Sequence, residues 1–348
     1  MKYVIFADPH LAGKDKEFID LDGKKYPRKE FYVINNMYNA LERFKVEYPD
    51  EEKNLIIAGD IFHHKNYAHA SSEDLFSQFI SHFEDWNKYI ITGNHDVSDK
   101  TENPITLLSH MKHKKYQNLT ILEPGETLIL EDKILLLPWS KNFLDTLRDK
   151  IESNPEIEVL ISHFGVNEAV LSSGLSHVDR ITFKDLSVYF KMIILGHYHK
   201  PQLLENENSK LIYVGSVVQE NWGESNEDKR YIIFDSDSCE YDSIPTIYPR
   251  YITRYTDNID DVKTIVKEGL DEDQIRIQTM SEELYDYCNN NGVYCVLQLE
   301  KSLGAEDDDQ IKTIDLTSNI FLEYLKYKKI DDGEHEYYLK KLDEIMIE

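Results

Sequence analysis

The chain has 348 residues, 41% of them hydrophobic, and a net charge of −26; it is long enough for one large domain plus a smaller one, and too acidic to grip nucleic acid by bulk electrostatics alone. No run approaches the roughly 18 apolar residues of a membrane span, and a strand pattern starts at Lys2, where a signal peptide would place its charged and apolar regions. Cys239, Cys288 and Cys295 lack CxxC spacing and make a poor disulfide framework, so a reducing cytoplasm is the expected location.

Short apolar runs that close on Gly or on a polar motif predict strands over 2–7, 54–58, 88–92, 133–137, 157–162, 191–195, 210–214 and 230–234. Between the first of them, Phe31, Ile34, Tyr38, Leu41 and Phe44 recur at helical spacing. So do Leu75, Phe76, Phe79, Ile80 and Phe83, after a start signal at Ser71–Asp74. Alternating strands and helices indicate an α/β domain over residues 1–245, the later strands forming a second sheet packed on the first. Residues 246–305 read as a small α+β unit, with a helix around Asp260–Glu268 and strands near 275–278 and 293–299. Residues 306–348 open on a charged loop and continue into two helical patterns, Ile320–Leu325 and Tyr338–Met346. Residues 251–348 hold 24 Asp/Glu against 11 Lys/Arg, so the acidity is densest there.

The chemistry-bearing residues stand at strand ends. Asp8 and His10 follow the first strand at i and i+2, which lets both side chains project to one side. Asp60 follows Leu55–Gly59, and its two carboxylate oxygens can bridge two cations. Asn94 follows Tyr89–Gly93, His163 ends Val159–Ser162, and His197 and His199 follow Ile193–Gly196. In open α/β sheets, ligands gather at the carboxyl edge of the strands. Seven oxygen and nitrogen donors at that edge, with no thiolate, suit two catalytic divalent ions such as Mn²⁺, Fe or Zn²⁺. The expected division gives Asp8, His10 and His199 to one ion and Asn94, His163 and His197 to the other, with Asp60 between. Two such ions about 3.5–4 Å apart can activate water and clamp a phosphoryl group. His95, between Asn94 and Asp96, is the expected proton donor to a leaving oxygen, with Asp96 fixing its ring. His63, one helical turn beyond Asp60, is placed to contact the phosphate.

These motifs resemble the calcineurin-like metallophosphoesterases. Gly93-Asn94-His95-Asp96 together with Gly59-Asp60-Ile61-Phe62-His63 is similar to the SbcD-type DNA-repair nucleases, as are the stretches Leu135–Trp139, Leu195–Gln202 and Tyr213–Glu224. The likeness covers about residues 1–235. The C-terminal third matches in layout only, Pro9 departs from the pattern, and the chain is short, as phage-encoded versions are. The resemblance implies a two-sheet α/β/β/α sandwich, a small DNA-contacting capping domain and a C-terminal helical pair that binds an SbcC-type coiled-coil ATPase. It also implies a homodimer using two divalent ions, manganese foremost, with 3′-to-5′ exonuclease action on duplex DNA and endonuclease action on single strands or hairpins. Such an assembly shares the grip on DNA between subunits, which answers the acidity of this chain. Local basic patches at Lys24–Lys29 and His110–Lys115 are a further source of attraction. The rival readings are a phosphatase or small phosphodiesterase of the same fold, and a DNA-end-binding scaffold.

Overall fold

The protein is represented by a computed structural model in which residues 1–12, 17–98, 105–114, 116–174, 179, 181–268 and 273–297 are described. It divides into two compact units, Met1–Gln298 and Leu299–Glu348. The expected charged loop and C-terminal helical pair lie outside the described residues.

Two six-stranded sheets build the body of the first unit. One runs from edge to edge as Glu240–Pro245, Arg230–Asp235, Lys2–Phe6, Asn54–Ala58, Asn87–Ile91 and Leu119–Leu122, the last four mutually parallel. The other runs as Gln202–Glu205, Lys210–Tyr213, Met192–Gly196, Val159–His163, Ile134–Leu137 and Leu128–Leu130, with four parallel inner strands and antiparallel edges. Parallel strands covered on both faces read as unbroken apolar runs, which is how Leu55–Ala58 and Ile193–Leu195 stand in the sequence. Alternation then sorts their side chains into layers. Val4, Phe6, Leu55 and Ile57 pack against Met37, Leu41 and Phe44 of helix Arg28–Glu47 and Phe76 and Phe79 of helix Ala70–His82. Tyr3, Ile5, Ile56 and Ala58 meet Ile161, Ile194 and Ile212 of the second sheet. Leu160, Ile193 and Leu211 pack on Leu147 and Leu186, from helices Phe143–Ser153 and Phe183–Leu186. The result is the expected four-layer α/β/β/α sandwich.

Several elements depart from expectation. The second helix starts at Ala70 rather than after Ser71–Asp74, because the Ser72 hydroxyl donates to Glu30 Oε1 (2.8 Å) instead of capping. A hairpin, Phe18–Leu21 with Lys24–Pro27, turns at Asp22-Gly23, both at positive φ (51° and 81°), the backbone that a two-residue turn of this hand requires.

Beyond the sandwich, strands Tyr251–Tyr255, Gln274–Thr279 and Tyr294–Leu297 pair in parallel, in that order. Helices Ile259–Glu268 and Glu282–Asn290 connect them. Val262, Ile277, Leu284, Cys288 and Cys295 form the core between helices and sheet. The register aligns Thr253, Arg276 and Tyr294 across the strands, one step out of phase with Ile277 and Cys295. Tyr251, Tyr255, Arg276 and Tyr294 therefore lie on the face opposite that core.

Candidate metal centre

The carboxyl ends of the parallel strands in both sheets meet at one place. The first sheet delivers Asp8, His10, Asp60 and Asn94, and the second delivers His163, His197 and His199. Reaching it costs the backbone: Asp8, His10, Asp60 and His197 all hold positive φ, at 51°, 46°, 53° and 98°. For non-glycine residues such conformations cost of order 1–3 kcal/mol each and persist where surrounding structure imposes them. Here the loops lace together, His10 N–H donating to Asp60 O (3.0 Å) and Asp8 N–H to Gly59 O (3.2 Å). Gly59, at φ +88°, is required twice over, since a Cβ there would stand 2.2 Å from His163 Nδ1.

The donors fall into two overlapping groups. Asn94 Oδ1 lies 3.1 Å from His163 Nε2 and 2.9 Å from His197 Nδ1, and Asp60 Oδ2 lies 3.2 Å from His163 Nε2. On the other side His10 Nε2 is 2.9 Å from His199 Nε2, 3.6 Å from Asp60 Oδ2 and 3.9 Å from Asp8 Oδ1. Asp8, His10 and His199 are within ligating reach of one another, as are Asp8, Asp60 and His163. Ligands held about 2.0–2.2 Å from a shared ion stand about 3 Å apart at right angles, so the spacing fits ion binding. Asp8 is common to those two clusters, and between His163 Nε2 and His10 Nε2 stands Asp60. Its Oδ1 is taken by the His95 N–H (2.7 Å), which leaves Oδ2 facing both groups.

Electrostatics agree. Burial disfavours a charged His163, but Asp60 and Asp8 outweigh it and push its pKa up to about 9. Burial likewise opposes a charged His199, yet the hydrogen bond to Glu224 and the charge of Asp8 also bring it to about 9. Burial and the neighbouring His163 push His197 down to about 3. Carboxylates thus favour positive charge at both His163 and His199, one in each donor group. Their other nitrogens are already anchored, His163 Nδ1 to Ala58 O (2.9 Å) and His199 Nδ1 to Glu224 Oε1 (2.8 Å), the support that metal-ligating imidazoles have. Glu224, only 3% exposed, also pairs with the buried Lys229 (2.8 Å). In the sequence Glu224 merely closes the Tyr213–Glu224 stretch, and no spacing rule links it to His199.

His95 and His63 join the same cluster. The nitrogens of His10, His63 and His95 lie within ligating reach of one another. Two expectations are corrected. The His95 ring is fixed not by Asp96 but by the His63 carbonyl, 2.6 Å from Nδ1. Asp96, fully buried, accepts backbone N–H groups from Gly93 (2.9 Å), Phe62 (3.1 Å) and Ile61 (3.3 Å), and so holds the loops that carry Asp60 and Asn94. His63 reaches the site through an extended segment bridged between Leu11 and Phe62, not one helical turn beyond Asp60. Four members of the basic runs are engaged as well: Lys24 pairs with Asp74, Arg28 with Glu17, Lys29 with Glu220, and Lys112 with Glu123 and Glu126. Lys115 lies outside the described residues.

Sheet topology and converging donors define a metal-dependent phosphoester hydrolase. Residues 1–201 match the sequence model of the calcineurin-like phosphoesterases, and the chain belongs to that family. It is 24% identical over 274 residues to a subunit of the nuclease SbcCD from Staphylococcus epidermidis, covering 68% of this chain and 66% of that one. It is 25% identical over 229 residues to the uncharacterized protein R555 of Acanthamoeba polyphaga mimivirus, covering 59% of this chain and 16% of that protein. The chain thus spans less than two thirds of either relative. Among solved structures, an archaeal phosphodiesterase aligns at TM-score 0.36 and 15% identity over 70% of this chain and 99% of that one. A 5′-nucleotidase precursor from Thermus thermophilus aligns at TM-score 0.38 and 13% identity, over 71% and 54%. Among the described residues no helix is long and apolar enough to cross a membrane.

Proposed function

We propose that this chain is a metal-dependent deoxyribonuclease, the nuclease subunit of an SbcCD-type repair and recombination complex. In this reading it acts 3′-to-5′ on duplex ends and endonucleolytically on single strands and hairpins. The observation that carries the hydrolytic part is the position of Asp60 Oδ2 between two donor groups that together offer seven ligands. Likeness to the staphylococcal nuclease subunit supports a nucleic acid as substrate.

When bound, two divalent ions, with manganese first among candidates, supply the Lewis acidity that activates water and offsets charge growing on the phosphoryl oxygens. Asp8, His10, His199 and Asp60 would hold one ion; Asn94, His163, His197 and Asp60 the other. His95, its Nδ1–H committed to the His63 carbonyl, exchanges a proton only at Nε2 and there protonates the departing 3′-oxygen. Burial and the neighbouring His95 push His63 down to about 4, so it meets the phosphate as a neutral ring. Residues 246–305 serve as the capping domain, residues 306–348 dock a coiled-coil ATPase, and the assembly is a cytoplasmic homodimer.

The test compares end-labelled duplex and hairpin DNA with p-nitrophenyl phosphate, each with Mn²⁺ and with EDTA. Manganese-dependent DNA cleavage supports the proposal. Turnover of the monoester alone identifies a phosphatase, and DNA binding without turnover a scaffold. Loss of ATPase co-purification on deleting residues 316–348 tests the docking segment.

A further inference from the structure

We propose that the sheet face turned away from the cap's core, with Trp222 packed on one end of it and Tyr255 and Tyr294 left exposed, is a stacking platform for unpaired nucleobases of the strand whose phosphodiester enters the metal centre. This rests on the nuclease reading above and adds the form of nucleic acid that is held, and where.

Tyr251, Tyr255, Arg276 and Tyr294 share the sheet face turned away from the cap's own core, interleaved with Thr253, Gln274 and Gln278. Tyr255 and Tyr294 are 53% and 52% exposed, an unusual placement for large rings on a sheet. Trp222 comes from the sandwich and sits at one end of this face, its ring centroid 5.0 Å from Tyr251 and 5.4 Å from Tyr294. The Arg276 guanidinium lies 4.8 Å over the Trp222 ring, held there by Nε and Nη2 bonds to Thr253 Oγ1 (3.2 and 3.0 Å). Rings and a planar cation spread over a sheet and separated by small polar side chains offer flat apolar faces to bases and donors to their edges. A face built to receive a protein helix would instead carry contiguous aliphatic side chains, and here Val296, beside Gln278, stands alone among rings and polar groups.

Position ties the platform to the chemistry. Trp222 is flanked by Asn221, Gly223 and Glu224, which line one cavity together with the candidate ligands His197 and His199. The short loop Asn221–Glu224 thus touches both the platform, through Trp222, and the cavity at the candidate ligands. Charge favours stacking too. The chain carries −26, and Lys24, Arg28, Lys29 and Lys112 of its basic runs are paired with carboxylates, so phosphate attraction is scarce. Stacking needs no net charge and does not weaken with salt as ion pairing does.

The experiment uses the full chain in EDTA, so that binding is read without cleavage. Fluorescein-labelled oligo(dT) and a blunt duplex are titrated by anisotropy, with tryptophan fluorescence followed in parallel. Tyr255→Leu and Tyr294→Leu, both at exposed sites, should each weaken oligo(dT) binding about 5- to 150-fold, while Tyr294→Phe keeps the ring and stays near wild type. Oligo(dT) should quench the tryptophan emission of wild type and not of Trp222→Leu. Manganese-dependent hydrolysis of bis(p-nitrophenyl) phosphate should be unchanged in the tyrosine variants. The proposal is overturned if wild type fails to bind oligo(dT), if the leucine variants bind it like wild type, or if blunt-duplex binding falls as much as oligo(dT) binding. Failure of the nuclease reading shows separately, as absence of phosphodiester hydrolysis by wild type.

Discussion

Replacing Glu224 by Gln changes one atom and sets two neighbours in conflict. Glu224 Oε1 accepts from His199 Nδ1 at 2.8 Å, while Oε2 accepts from the Glu220 N–H (2.9 Å) and faces Lys229 Nζ at 2.8 Å. A glutamine must turn its NH₂ toward one side or the other. Turned to His199, it donates to Nδ1 and drives the ring proton to Nε2, the nitrogen that faces His10 Nε2 and the first ion position. Turned to Lys229, it sets donor against donor in a buried pocket, although Lys229 keeps Glu227 Oε2 and the His199 carbonyl, both at 2.8 Å. The first arrangement spares the fold and spoils the ligand. Loss of such a support for a metal-bound histidine costs about 10- to 100-fold in affinity, or about 1.4–2.8 kcal/mol. Calorimetric titration with Mn²⁺ should therefore show two sites in both proteins, with one weakened by that factor and the other, built on Asn94, His163 and His197, unchanged. Equal affinities for wild type and Glu224→Gln at both sites would refute the reasoning.

Three further outcomes are expected. Gly196→Ala would place a Cβ 2.2 Å from the Ala58 carbonyl and 2.8 Å from His163 Nδ1, so urea unfolding should show a loss of about 1–3 kcal/mol, with weaker Mn²⁺ binding as the His163 anchor shifts. His95→Asn should bind Mn²⁺ like wild type yet lose about 10²- to 10⁴-fold in turnover, whereas Asp60→Ala should lose the ions themselves; normal cleavage by His95→Asn would move the proton donor elsewhere. Lys88 is buried, its ammonium held by the Phe83 and Trp86 carbonyls (2.6 and 2.8 Å), and burial pulls its pKa down to about 8. The unfolded chain then binds more protons between about pH 8 and 10.5, so stability rises with pH there, by about 3 kcal/mol over the full window. Urea midpoints across that range should show this rise in wild type and its absence in Lys88→Met.

The interior of the fold was legible because parallel strands buried on both faces leave apolar runs such as Leu55–Ala58 and Ile193–Leu195. Edge strands were not. Gln202–Glu205 and Glu240–Pro245 hold only half-buried and exposed positions, and nothing in them signals a partner. The small unit was read in part: strand Tyr251–Tyr255 and helix Glu282–Asn290 were missed because each takes its meaning from register against Gln274–Thr279. Candidate ligands were legible since each closes a strand and the parallel sheets point one way. What supports them was not, because Asp96 works through three backbone N–H groups in two loops and Glu224 meets His199 only in the folded chain.

The seven donors are divided between the two sheets, four from residues 8–94 and three from residues 163–199, and only the packed sandwich brings them face to face. An ion held by both sets would tie the halves together as a rivet joins two plates. Neither half of the polypeptide can assemble a complete pocket by itself, so during synthesis a full donor set must wait until residues 163–199 have emerged and their sheet has packed on the strands that carry Asp8, Asp60 and Asn94.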